Sequence, residues 1–327
     1  MAARSIPNPA ILTSTLPLLE ARASSDIDGF MTTTDRLFQY AGTDSEPIDP
    51  GTRAAGRYRA ALQRGADSLK QRPLSAATAV EVCRELCGFD LAVRTRPAAA
   101  LTNRAGVTLY TPPQGEALIR DLLANWTKYI HDDAGIDPLV RLAIGHYQFE
   151  AIHPFSDGNG ATGRILSLLY LVERQLLEQP VLCLGHAIIW NTADYLQQFN
   201  GVMQSGEWES WIVSLVNAVT ETARWTTAKV MAMRNLFVEA TRHVRGQAPS
   251  VYSPELVELI FVRPYCRIAN VVEAGLAKRQ TASVYLKELS NIGVLDEVKV
   301  GREKLFIHSS LMDLLKSEQH WYRSYTS

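Results

Sequence analysis

The stretch HPFSDGNGATGR, His153 to Arg164, constrains this chain more than any other. It lies between two runs whose apolar residues recur at helical spacing. Upstream, LVRLAIGHYQFEAI sets Leu139, Leu142, Ala143, Tyr147 and Phe149 at offsets near three and four. With Asp137 as N-cap and Pro138 at the first helical position, a buried helix is predicted to end just before His153. Downstream, Ile165, Leu168, Leu169 and Val172 repeat at i, i+3, i+4, i+7, which predicts a second buried helix from near Asn159 to about Leu177. The stretch is therefore a turn between two core helices.

Its residue types point to anion chemistry. Gly158 and Gly160 flank Asn159 at the mouth of a helix, where backbone N–H groups lack intrahelical partners and the dipole is positive. Such a mouth binds phosphate, and glycine lets the backbone approach it closely. Asp157 offers a hard oxygen ligand suited to Mg²⁺ shared with a nucleotide. Arg164, about one turn up the same face, has the fork geometry for a distal phosphate. His153, in a loop fixed by Pro154 and Phe155, is placed to take a proton from an attacking hydroxyl. Singly, each residue also fits a plain interhelical turn, with His153 satisfied in the loop and Asp157 capping. Together they are the parts of a nucleotidyl or phosphoryl transfer site.

Composition narrows the partners. The 327 residues are 46% hydrophobic and 20% charged, with 33 Lys+Arg against 34 Asp+Glu, so no global field attracts nucleic acid or membrane. The length suits about two domains. Cys83, Cys87, Cys183 and Cys266 are too widely spaced for a paired C-x-x-C metal site and read as free thiols. The opening MAARSIPNPAILTS lacks a signal-peptide core, and no long apolar run predicts a membrane span, so a cytoplasmic location is expected.

Further helices are predicted at 79–88, 115–131, 193–203 and 207–240, with an extended stretch at 94–111. GQAPSVYSP, from Gly246 to Pro254, reads as a boundary. Beyond it, three short helices and a hairpin built from VLDEVKV and KLFIH predict a winged helix-turn-helix. His146 reads as a core or capping histidine, and the tryptophans at 190, 208, 211 and 225 as core.

The turn resembles the signature of the Fic family, H-P-F-x-(D/E)-G-N-G-R-x-x-R, at His153, Pro154, Phe155, Asp157, Gly158, Asn159, Gly160 and Arg164. The approach HYQFEAI and the later EWESWIVSLVNAV are also similar. The resemblance implies a mainly α fold: a Fic-type helical bundle with a small β-hairpin flap, then a C-terminal winged helix-turn-helix. It divides the chain into an N-terminal helical segment at 1–92, a Fic core at 93–245, and the winged helix with a C-terminal helix at 246–327. It implies transfer of AMP from Mg-ATP to a Ser, Thr or Tyr hydroxyl of a target protein, with automodification as a further outlet. His153 is then the base and Asp157 the Mg²⁺ ligand. Gly158, Asn159 and Gly160 hold the α- and β-phosphates, and Arg164 the γ-phosphate. The flap candidate is residues 94–113, where Val107, Thr108, Leu109 and Tyr110 alternate like an edge strand that a target backbone would join. An ordinary hairpin packed on the core is the other reading of that stretch. A homo-oligomer is left open.

Two positions depart from the pattern. Ala161 stands where the family has arginine, and losing one cationic contact is expected to weaken transfer by roughly a hundredfold or more. Many relatives carry an inhibitory S/T-x-x-x-E-G; here Ser24 and Gly29 fit, but the acid is Asp28. One methylene fewer predicts a shorter reach to Arg164 and a weaker brake. The rival function is a degenerate, nucleotide-sensing regulator whose winged helix binds DNA or protein. Residues 251–308 hold eight Lys/Arg against seven Asp/Glu, which makes DNA the weaker partner. Lys278, Arg279, Lys299, Arg302 and Lys304 are its candidate phosphate contacts.

Overall fold

A computed structural model describes residues 6–41, 49–98, 101–102, 108–132, 135–190, 192–300 and 303–325. The helices in chain order begin with α1 (Ala10–Ile27), α2 (Thr34–Tyr40), α3 (Pro50–Leu69) and α4 (Ala76–Cys87). A short hairpin, β1 (Leu101–Thr102) with β2 (Thr108–Tyr110), precedes α5 (Glu116–His131), α6 (Pro138–Ile152) and α7 (Asn159–Glu173). Then come α8 (Leu184–Trp190), α9 (Thr192–Ser205) and α10 (Trp208–Gln247). The tail holds α11 (Pro254–Val262), β3 (Tyr265–Cys266), α12 (Ile268–Glu273), α13 (Arg279–Asn291), β4 (Asp296–Val300), β5 (Glu303–Ile307) and α14 (Ser309–Lys316). The mainly helical class, the hairpin and the winged tail agree with the sequence reading.

The chain forms two compact units, residues 20–31 with 49–223, and residues 1–19 and 32–48 with 224–327. In the first, α7 is the central helix. Every residue from Ala161 to Leu171 is buried, so the helix is enclosed on all sides rather than amphipathic, with Thr162, Arg164 and Ser167 as its buried polar members. It packs against α3, α4 and α6, while α5 backs α6. Local signals explain where these helices start. Asp49 and Asp137 cap α3 and α6 through Thr52 N–H and Leu139 N–H, each at 2.8 Å, and a proline follows each cap. α7 stops at Glu173 rather than Leu177, because Arg174 caps it and Gln175 turns left-handed with φ 59°.

The second unit contains the winged helix. Its sheet has the order β3-β5-β4, all antiparallel, with Asp296 to Val300 opposite Ile307 to Glu303. Sequence reasoning found the β4–β5 hairpin but not β3, whose two residues are too few to show alternation. Ser253 caps α11 through Leu256 N–H at 3.1 Å, with Pro254 following. α10 continues to Gln247, seven residues past its expected end. Among the described residues no helix is long and apolar enough to cross a membrane.

Candidate active site

The predicted turn joins α6 to α7 inside the first unit. His153 caps α6 in the left-handed region, φ 48° and ψ 60°, which ends the helix and turns the chain into the loop. Phe155 is fully buried and anchors the loop. The Asn159 side chain closes it: Phe155 N–H donates to Asn159 Oδ1, and Asn159 Nδ2 donates to Phe155 O, both at 2.9 Å. Both ends of the carboxamide are thus engaged with the loop backbone, which fixes the residue at the mouth of α7. Gly158 caps α7 with φ 73° and no side-chain cap, leaving the first-turn amides open. A Cβ at Gly158 would meet Cys87 Sγ at 3.1 Å, so both the conformation and the space require glycine. These elements line a cleft of about 570 Å³ with Asp28, Arg57, His153, Asp157, Gly160 and Ala161 on its walls.

Arg94, which sequence reasoning did not single out, holds the front of the cleft through backbone carbonyls. Its Nε donates to His153 O at 2.7 Å and its Nη2 to Pro113 O at 2.6 Å, and Arg94 N–H donates to Pro154 O at 2.9 Å. The root of the hairpin is thereby tied to the turn. Burial lowers the His153 pKa, the Arg94 charge lowers it further, and a hydrogen bond to the Glu150 carbonyl opposes both. Burial and the Arg94 charge thus both favour the neutral form of the ring, the form a general base uses.

Arg164 lies behind the cleft, 5% exposed. Its Nε donates to Ser24 Oγ at 2.7 Å and its Nη2 to Ser24 O at 3.2 Å and Asp28 Oδ2 at 2.9 Å. Asp28 stands just past the end of α1, and Gly29 follows with φ 84°. The turn carries the short carboxylate to the guanidinium, so the expected loss of reach does not occur. Two further buried acids face this arginine. Glu20 accepts from Tyr58 OH at 2.9 Å and Gly185 N–H at 2.8 Å, and burial raises its pKa to about 7 despite them. Glu150, also raised to about 7 by burial, leaves Oε1 without a hydrogen bond. A Cβ on Gly163 would lie 2.2 Å from that oxygen, so glycine there makes room for the acid. The available signal for these two is an acid set among apolar residues, Glu20 after Leu18 and Leu19 in α1 and Glu150 as the one acid of α6.

The remaining candidates fall as follows. Asp157 is exposed, and its Oδ1 accepts from Gly158 N–H at 2.8 Å. No group of three or more His, Cys, Asp or Glu that could hold a metal ion occurs among the described residues. Ala161 is 7% exposed at the cleft wall. Thr108 and Leu109 lie in β2, with Thr102 opposite Thr108 and Leu101 opposite Tyr110, while Val107 lies outside the described residues. The Tyr110 hydroxyl donates to Ala151 O at 2.8 Å, so that side chain is pinned to α6. His146 is a buried core histidine between Ser167 Oγ at 3.0 Å and Tyr195 OH at 2.9 Å. Trp211 is core at 1% exposure, but Trp208 is 39% exposed, covering Tyr147 from the rim at 4.8 Å. All four cysteines are free thiols. In the winged tail Lys278, Arg279, Lys299 and Lys304 are exposed, Lys304 is ion-paired with Glu297, and Arg302 lies outside the described residues.

Comparison with known proteins gives the same picture along the chain. The Fic/DOC family matches residues 73–171, the Fic/DOC family N-terminal region residues 1–67, and the C-terminal domain of SoFic-like protein adenylyltransferases residues 236–311. Protein adenylyltransferase fic-1 of Caenorhabditis briggsae is 36% identical over 73 residues, which cover 22% of this chain and 14% of that one. A probable protein adenylyltransferase of Aquifex aeolicus is 38% identical over 68 residues, 21% of each chain. The aligned part is thus a small share of these relatives' length. A crystal structure of a Fic family protein from Desulfovibrio desulfuricans G20 superposes with TM-score 0.57 at 15% identity, covering 93% of this chain and 89% of that one. A Fic domain containing signaling protein from Bacteroides thetaiotaomicron gives 0.55 at 16%, covering 70% and 95%. These two likenesses are of fold. With three of its regions matched in order and the signature turn built between two core helices, the chain belongs to the Fic/DOC family.

Proposed function

We propose that the chain is a protein adenylyltransferase. One observation carries this reading: an imidazole, an exposed carboxylate and the uncapped mouth of α7 share one cleft, with a buried guanidinium behind them. ATP is the donor substrate. The open amides from Asn159 onward hold its α- and β-phosphates, and Arg164 holds the γ-phosphate. Asp157 is the protein ligand for Mg²⁺, which when bound neutralises phosphate charge. His153 takes the proton of a Ser, Thr or Tyr hydroxyl as that oxygen bonds to the α-phosphorus, and the bond to the pyrophosphate oxygen breaks. The acceptor is a target protein lying along the β1–β2 hairpin, or the chain itself.

In this reading residues 1–92 carry a brake, 93–245 the chemistry and 246–327 a docking module. Ser24 and Asp28 are the brake: they occupy the guanidinium that the γ-phosphate needs. Free thiols and an ATP-dependent reaction fit the cytoplasm. Ala161 supports a second reading, an attenuated enzyme that senses nucleotide and signals through its winged helix, to protein or, less strongly, to DNA. Labelled ATP with Mg²⁺, given to the chain and to Ala161→Arg in a lysate, tests both. Label on a hydroxyl with a mass gain of one AMP is the expected result. No transfer by either protein, alongside measurable nucleotide binding, would favour the sensor.

A further inference from the structure

β4 is the outer strand of the winged sheet, and all five of its residues are exposed. Each is paired inward with β5, and among the described residues no strand or loop bonds its other edge. An open edge displays a row of unpaired N–H and C=O groups, and charged residues along it normally discourage pairing. Here the charges are arranged differently. Lys299 lies directly opposite Lys304, a like-charge pair that weakens a hairpin. Glu297 is ion-paired with Lys304, while Lys299 has no carboxylate partner among the described residues. On the other face, Val298 and Val300 are 41% and 45% exposed.

We propose that β4 pairs antiparallel with β4 of a second copy of this chain, about a two-fold axis through Val298. The central Glu-Val-Lys, residues 297 to 299, is complementary to itself in that register. Glu297 lies opposite Lys299 of the second copy and Lys299 opposite its Glu297, which supplies the missing carboxylate. Val298 meets Val298, while each Val300 lies opposite an Asp296, so the complementarity is carried by the three central residues. Centring the pair on residue 297 or 299 would instead oppose two glutamates or two lysines. Slipping by half of that shift would set outward-facing backbone groups against inward-facing ones and break the ladder. The twofold arrangement is isologous and closes at two copies. Five-residue strands bury less than the ~1,200 Å² of standard stable interfaces, so the association is weak and concentration-dependent. This proposal stands apart from the adenylyl-transfer reading.

Sedimentation equilibrium of the full chain across a concentration series tests it, with thermal midpoints confirming that each variant is folded. Wild type is expected to self-associate. Lys299→Glu and Glu297→Lys each turn both cross-strand pairs into like charges, and each is expected to weaken association by about tenfold or more. Mixing the two variants in equal amounts restores Glu opposite Lys at both pairs, so hetero-association at wild-type strength is expected. Val298→Cys is expected to give an oxidised dimer that wild type, similarly treated, does not form. A wild type that stays monomeric throughout overturns the proposal. So do variants that associate as wild type does, or a mixture that shows no recovery.

Discussion

The front and back of the cleft use arginine in opposite ways. At the front, Arg94 donates to main-chain carbonyls of residues 153 and 113, groups that no rotamer change can withdraw. At the back, Arg164 is held by the Ser24 hydroxyl and carbonyl and by the Asp28 carboxylate, and two of those three are side-chain groups on α1 or the turn just after it. A charge-assisted contact to a carboxylate is one that a phosphate can replace. The comparison teaches that one wall of the cleft is fixed scaffold and the other is an exchangeable contact.

Substitutions can break that comparison, and the largest effect is expected at the fixed wall. His153→Ala should lower AMP transfer by roughly 10²–10⁴-fold while leaving nucleotide binding in place, measured by transfer rate against calorimetric affinity. A loss of binding equal to the loss of rate would show that the imidazole holds nucleotide rather than protons. Ala161→Arg should raise transfer by about a hundredfold, since one cationic contact in such a site contributes about 2–4 kcal/mol. Next comes the exchangeable wall. Asp28→Gly should tighten nucleotide binding by about tenfold or somewhat more, the low end of the worth of one charge-assisted hydrogen bond that no longer competes. An unchanged affinity would mean that Asp28 is no brake.

The smallest effect concerns Glu150. Its pKa is raised in the folded chain to about 7 from the usual 4.5. The protonated acid is therefore favoured by folding, and the stability it contributes is complete below about pH 4.5 and lost as pH rises through 7. The unfolding free energy of wild type, measured by denaturant titration, should fall relative to Glu150→Gln across that window by on the order of 1–3 kcal/mol. Other titrating groups cancel in the comparison. A difference that does not change with pH would place the acid in contact with a partner.

Much of this was readable in the chain because spacing and cap chemistry are local. Asp137-Pro138 marked the start of α6, and the Gly-Asn-Gly turn marked the mouth of α7 to the residue. The tail helices and hairpin were legible for the same reason. What failed was long-range. Arg94 meets the turn 59 residues away, and nothing near it in sequence reveals that its partners are carbonyls. The reach of Asp28 was misjudged because side-chain length was weighed without the backbone turn at Gly29, 136 residues from the arginine that it meets. Trp208 looked like core because a tryptophan in an apolar helix usually is; its place at the first position of α10 leaves one face in water. The sequence also gives no sign that the Asn159 side chain stitches the loop in which that residue sits, through Phe155.

The stapling by Arg94 has a consequence for how such a protein can change over time. Because the base of the hairpin is fastened to the main chain beside the imidazole, the far end of the hairpin is free to drift in sequence without detuning the ring. If the hairpin docks target proteins as proposed, recruitment of new clients and preservation of the chemistry become separable problems, answered by different residues of one short segment.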